Sequence, residues 1–137
     1  MSYFYISNPY NGTEAEKNHR AEVAARSCAL LLKRGVHAWS PIVHNHSMLK
    51  TNNIFTLEER RTVVLNFDFT LLRASSGMIV LEIDGWDRSF GVNAEIELCR
   101  KLDIPIKYLN PSDLDTALPT DEILRDSPLK LTTEVLL

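Results

Sequence analysis

Cysteine is scarce in this chain. Cys28 and Cys99 are the only two among 137 residues, they stand in no CxxC spacing, and both fall on apolar-leaning faces of predicted helices. That excludes a disulfide scaffold and a thiolate metal or redox centre, and it predicts reduced core thiols. Of four histidines, His44 and His46 form a close pair, but no Cys or His-x-x-Glu-His pattern completes a ligand set, so neither metal nor cofactor is expected. Long apolar runs are missing too. Nothing approaches the roughly 20 residues of a membrane span, so no membrane association is expected. The N-terminus, MSYFYISNPYNG, has no basic region followed by an apolar stretch; no secretion signal is read there, and a cytoplasmic location is expected. Basic charge is not in excess either. Fifteen Lys and Arg are interspersed with 18 Asp and Glu, for a net charge of −3, which gives no stripe for a nucleic-acid backbone and argues against a nucleic-acid polymer as partner. There are no internal repeats and no low-complexity tract.

What is present suits one domain spanning residues 1–137. Hydrophobic residues at 45% and charged residues at 24% are ordinary for a globular chain long enough to bury a core. Tyr3 to Ser7 is aromatic and β-branched, which predicts a first strand, and Asn8-Pro9-Tyr10-Asn11-Gly12 predicts a ligand-facing loop. Thr13 and Glu16 form a capping box that opens a long helix to about Arg34, ended by Gly35 and buried through Val23, Ala24, Ser27, Cys28, Leu31 and Leu32. Val36 to Ser40 predicts a second strand, and Pro41 to Thr56, with no steady period, a long loop in which His44 and His46 are either solvated or substrate-contacting. Leu57 to about Ala74 predicts a second long helix capped by Thr56. Ile104 to Leu109 predicts a further strand, Thr120 to Arg125 a short helix and Lys130 to Leu137 a short extended end.

The chain is organised around Met78 to Leu102. Met78 to Leu81 and Ile83 make the apolar run of a strand covered on both faces, broken only by Glu82. Asp84-Gly85 turns the chain, and Ser89 then caps a helix whose first turn, Phe90-Gly91-Val92, leaves free N–H groups where the strand stops. The alternation of strands and helices predicts an α/β, Rossmann-like (flavodoxin-like) fold: an open, mainly parallel sheet of four to five strands with helices on both faces.

Two carboxylates break the helical pattern. Glu95 falls within the apolar stripe Val92, Ile96, Cys99 and Leu102, whereas Glu97 points the opposite way. Asp68 falls within the face formed by Val64, Leu71, Leu72 and Ser75. An inward carboxylate is costly unless it is paired, protonated or open to a cavity. Each therefore has two readings: an edge residue meeting an Arg, which for Asp68 would be Arg60 or Arg61, or a member of a reactive pair. Two such groups beside an anion-friendly helix N-terminus suit retaining glycosyl transfer, in which one attacks the sugar carbon and the other supplies a proton.

Four motifs in order carry a resemblance. Tyr5-Ile6-Ser7-Asn8-Pro9, Asp68-x-x-x-Leu72, Asp84-Gly85 and Ser89-x-Gly91-x-x-x-Glu95 resemble the nucleoside 2′-deoxyribosyltransferase superfamily, most closely its nucleotide-hydrolase branch and small relatives carrying a Gly-Trp-x-x-Ser-x-Gly turn. The likeness spans Tyr3 to about Leu109. It implies that Glu95 is a nucleophile forming a covalent glycosyl intermediate, that Asp68 protonates the departing base and that Tyr5 orients Glu95. Ser89 stands where the nucleoside transferases have Asp, as in the branch acting on nucleoside 5′-monophosphates; a hydroxyl and helix-terminal amides accept a phosphate that an Asp repels. Asn8, Asn11, Gly12, His44, Asp84 and Gly91 complete the substrate-binding set that is expected. Asn8 departs from the family's Gly, and the C-terminal segment does not match the one from which the family donates a residue to a neighbour. A homodimer or larger homo-oligomer is implied by the resemblance alone. The expected function is hydrolysis of the N-glycosidic bond of a nucleoside 5′-monophosphate; the alternatives are deoxyribosyl transfer between bases and a nucleotide-binding module without turnover.

Overall fold

The computed structural model describes residues 2–50 and 54–128. Strands β1 (Phe4–Ser7), β2 (Ala38–Trp39), β3 (Gly77–Leu81) and β4 (Ile106–Leu109) form one parallel sheet in the order β2-β1-β3-β4. Helix α1 (Glu14–Lys33) joins β1 to β2. After β2 come α2 (Pro41–Leu49), α3 (Leu57–Glu59), a π-helical turn (Arg60–Val64) and α4 (Leu65–Ala74); α5 (Phe90–Lys101) joins β3 to β4, and α6 (Thr120–Ile123) follows.

Alternation along the strands builds two cores. Tyr5, Met78, Val80 and Tyr108 point to one face and pack with Leu72 of α4 and Val92, Ile96 and Cys99 of α5. Ile6, Ile79, Leu81 and Leu109 point to the other and pack with Leu31 of α1, Leu114 and Ile123. Every residue of β3 is buried, as a strand covered on both faces requires. Glu82, the break in its apolar run, lies just past the strand and pairs with Arg125. Both cysteines are free, and burial pushes the thiols up, to about 11 for Cys28 and about 12 for Cys99. No helix among the described residues is long and apolar enough to cross a membrane.

Several local expectations change. The long loop over 41–56 is instead largely helix: Ser40 accepts from the Val43 amide, Pro41 occupies the first turn where its missing N–H costs nothing, and Pro41 and Asn45 are the buried positions. An inward Asn hid the period. The second strand shrinks to two residues, and Leu32, placed on the buried face of α1, is exposed because Ala21, Ala24, Ser27 and Leu31 form that face. The second long helix is continuous from Leu57 to Ala74 but carries the π turn in its middle. The extended end over 130–137 lies outside the described residues.

Candidate functional site

A cavity of about 750 Å³ opens over the carboxyl edge of β1, walled by α2, the α3–α4 rod and the first turns of α5. Ligands of open α/β sheets bind at this edge, where the connections leave a central strand in different directions. Asn8, Asn11, Asp68, Ser89, Gly91 and Glu95 all line it. Tyr5 stands behind Glu95, fully buried in β1.

Glu95 is held at both carboxyl oxygens. The Tyr5 hydroxyl donates to Oε2, and the Ser7 hydroxyl donates to Oε1 at 2.7 Å. Tyr5 and Ser7 are two apart on β1, so their side chains leave the same face of the sheet, the one α5 covers. Enclosure pushes the Glu95 carboxyl up to about 7, against the opposing pull of these two hydrogen bonds, and Asp68 adds to the rise. The same burial, with Glu95 next to it, raises the Tyr5 hydroxyl further, so Tyr5 stays a donor at any working pH.

Asp68 approaches from α4. Asn45 Nδ2 donates to its Oδ1 at 2.9 Å, and burial pushes its carboxyl up to about 6 in spite of that bond and of His44 nearby. Neither inward carboxylate meets an arginine among the described residues; hydroxyl and amide donors hold them instead. Both carboxyls are raised, Asp68 to about 6 and Glu95 to about 7, so between those values the pair holds a single proton.

Ser89 caps α5 as expected, accepting from the Val92 amide at 3.3 Å, with Phe90 and Gly91 beside it on the cavity wall. Asn8 is buried; its Nδ2 donates to the Pro9 carbonyl at 3.0 Å, while its Oδ1 finds no donor among the described residues. Three of the expected substrate-binding residues lie outside the lining. His44 is exposed, with Nδ1 at 2.8 Å from Asn45 Oδ1 and its ring against Trp39 and Phe67. Asp84 is exposed, 3.9 Å from Arg88. Gly12 clears the capping box, since a Cβ there would stand 2.8 Å from Glu16 Oε1.

The site also includes side chains that the sequence does not single out. Ser7 reads as one more strand residue until the sheet aims it at Glu95. Asn45 lies in the segment expected as loop, whereas His46, expected to be either solvated or substrate-contacting, lines the cavity, its Nδ1 2.7 Å from the Tyr10 hydroxyl. Lys17, Arg60 and Arg61 also line it, and neither arginine pairs with Asp68, the partner the sequence offered them. The spacing of Arg60, Arg61, Val64 and Asp68 along one helical face was the available sign.

Residues 2–110 match the model of a family described as "Domain of unknown function (DUF1937)", well over half of the chain. Among curated proteins none matches. A solved structure of a 2-deoxyribosyltransferase from the psychrotolerant bacterium Bacillus psychrosaccharolyticus superposes with a TM-score of 0.57, at 19% identity, over 80% of this chain and 73% of that one. The likeness at that identity is one of fold, and it extends to the four-stranded parallel sheet with helices around it.

Proposed function

The chain belongs to the DUF1937 family, whose description names no activity, and we propose from the site itself that it cleaves the N-glycosidic bond of a nucleoside 5′-monophosphate. The observation that carries the reading is the bracing of Glu95. A carboxylate fixed at both oxygens by Tyr5 and Ser7, inside a cavity that also holds Asp68, is aimed rather than merely buried. Such fixation removes the orientational freedom that a nucleophile otherwise loses on reaching the transition state.

In the proposed reaction Glu95 attacks the anomeric carbon, and the carbon–nitrogen bond breaks as Asp68 delivers its proton to the leaving base. A glycosyl ester on Glu95 results. Asp68, now ionised, takes a proton from water as the water oxygen attacks the same carbon and Glu95 departs. An acceptor base in place of water gives transfer, as the fold neighbour's description as a 2-deoxyribosyltransferase suggests for that protein. The Tyr5 and Ser7 hydroxyls stabilise the ionised nucleophile, and the Asn45 amide orients the acid.

The 5′-phosphate is assigned to the first turn of α5. Ser89, Phe90 and Gly91 border the cavity, and the helix terminus carries partial positive charge and free amides. Assembly into homo-oligomers belongs to the same proposal, carried by resemblance and by exposed apolar side chains such as Phe90, Phe67 and Val63.

The deciding experiment incubates the protein with a panel of nucleoside 5′-monophosphates and measures free base by chromatography. Release by the wild type that is lost in Glu95→Gln supports the assignment. Equal release by both proteins refutes the nucleophile, and tight binding without release in the wild type makes the chain a nucleotide-binding module.

A further inference from the structure

The proposed chemistry uses Glu95, Asp68 and the N-terminus of α5, and leaves the opposite end of the cavity unused. Lys17, Arg60 and Arg61 line that end with Tyr10 and His46. On the continuous rod from Leu57 to Ala74, Asp68, Val64, Arg61 and Arg60 share one face, so the acid, an apolar side chain and two cations follow in order. At about 1.5 Å per residue the arginines stand roughly 10–12 Å from Asp68 along the axis, and helical side chains lean toward the N-terminus, away from it. Lys17 reaches the same region from α1: its Nζ lies 5.9 Å from the centre of the Tyr10 ring, and Tyr10 itself senses the charge of Arg60.

In the sheet order, α2 follows β2 and α5 follows β3, the strands on either side of β1, so the walls they supply lie on either side of the central strand. Local counter-charge is thin. Lys17 lies 3.8 Å from an exposed Glu14, and Arg60 Nη2 donates to the Leu49 carbonyl at 2.9 Å, which leaves most of its guanidinium donors over. No carboxylate pairs with Arg60 or Arg61 among the described residues.

A leaving group protonated by Asp68 lies beside the face that carries Val64, Arg61 and Arg60. Its ring would meet Val64, Ile42 and Leu49, and whatever it carries at the far edge would meet the cations. We propose that the group released from the sugar is a heterocycle bearing a carboxylate, received by Arg60, Arg61 and Lys17. The inference rests on the glycosyl-cleavage reading of Glu95 and Asp68. A neutral base placed there offers these cations no counter-charge, whereas a carboxylate meets an arginine fork with paired, charge-assisted hydrogen bonds.

The test is calorimetric titration of the full chain, held at saturating ribose 5-phosphate, with matched heterocycles: orotate against uracil, and nicotinate against nicotinamide. Each acid should bind at least tenfold more tightly than its neutral partner. That advantage should fall below threefold in Arg61→Gln and in Lys17→Gln, both checked for folding by thermal melting, and should shrink as salt is raised. Neutral heterocycles binding as well as the acids, an undiminished preference in both variants, or no binding by any of the four overturns the inference. Base release from unsubstituted nucleotides without a carboxylate preference refutes this inference and leaves the cleavage reading standing. Absence of release from every nucleotide, carboxylated ones included, refutes the cleavage reading itself.

Discussion

Replacing Glu95 by Gln should change stability in opposite directions at the two ends of the pH scale. The Glu95 carboxyl sits at about 7 in the folded protein, against an ordinary value of 4.5. Between those pH values the folded protein holds a proton that the unfolded chain has released, so wild-type stability falls as pH rises from about 4.5 to about 7 and levels off above. At about 1.4 kcal/mol per pH unit the loss reaches about 3 kcal/mol, reduced toward about 1–2 kcal/mol by water in the adjoining cavity. Gln cannot ionise, so its curve lacks that decline. It gives up the matched acceptor for Tyr5 and Ser7, which costs about 1 kcal/mol at every pH. The variant is therefore expected to melt a few degrees below wild type at pH 4.5 and at or above it at pH 8, with about 3–5 °C corresponding to each kcal/mol in a chain of this size. Thermal melts followed by circular dichroism at half-unit pH steps read this directly. A difference that stays constant from pH 4.5 to pH 8 would show that the folded protein does not hold Glu95 against ionisation, and the reasoning would fail.

Three further outcomes follow from the same geometry. Asp68→Asn should slow base release from a natural nucleotide by about 10²–10⁴-fold yet spare a nitrophenyl glycoside, whose leaving group needs no proton; equal losses on both substrates would mark Asp68 as structural. The pH dependence of kcat/KM should be bell-shaped with its maximum between about 6 and 7, where the Glu95–Asp68 pair holds one proton, and a profile flat from pH 5 to pH 9 would remove the pair from the reaction. Ser89→Asp should keep the α5 cap and the fold while weakening a nucleoside 5′-monophosphate at least tenfold relative to its nucleoside; calorimetry showing the two ligands equal in the wild type would remove the phosphate from that helix.

The sheet and both carboxylates were legible because period carries that information. Glu95 stands out only against the stripe of Val92, Ile96 and Cys99, and Asp68 only against Val64, Leu71 and Leu72; both land on the cavity. Capping chemistry was equally readable, since Thr13, Thr56 and Ser89 satisfy amides within three residues and need no tertiary context. What was lost depended on distance. The sequence predicts loop over α2 because Asn45, its inward residue, is polar, and its reason for pointing inward is Asp68, 23 residues away in the chain. Ser7 gives no local sign of its role, since Glu95 lies 88 residues on. Arg60 and Arg61, which the sequence offers as partners for Asp68, stand about two helical turns from it and line the cavity instead.

The central claim is a covalent bond from Glu95 to a sugar, and trapping it is the most direct measurement. A nucleoside 5′-monophosphate with fluorine at the sugar 2′ position destabilises both oxocarbenium-like transition states, so the glycosyl-enzyme should outlive its formation. Intact mass spectrometry should then show one fluorosugar phosphate added per chain, peptide mapping should place it on Glu95, and Glu95→Gln should stay unmodified. Release of free base with no adduct at any time point, or an adduct on a residue other than Glu95, would contradict the account.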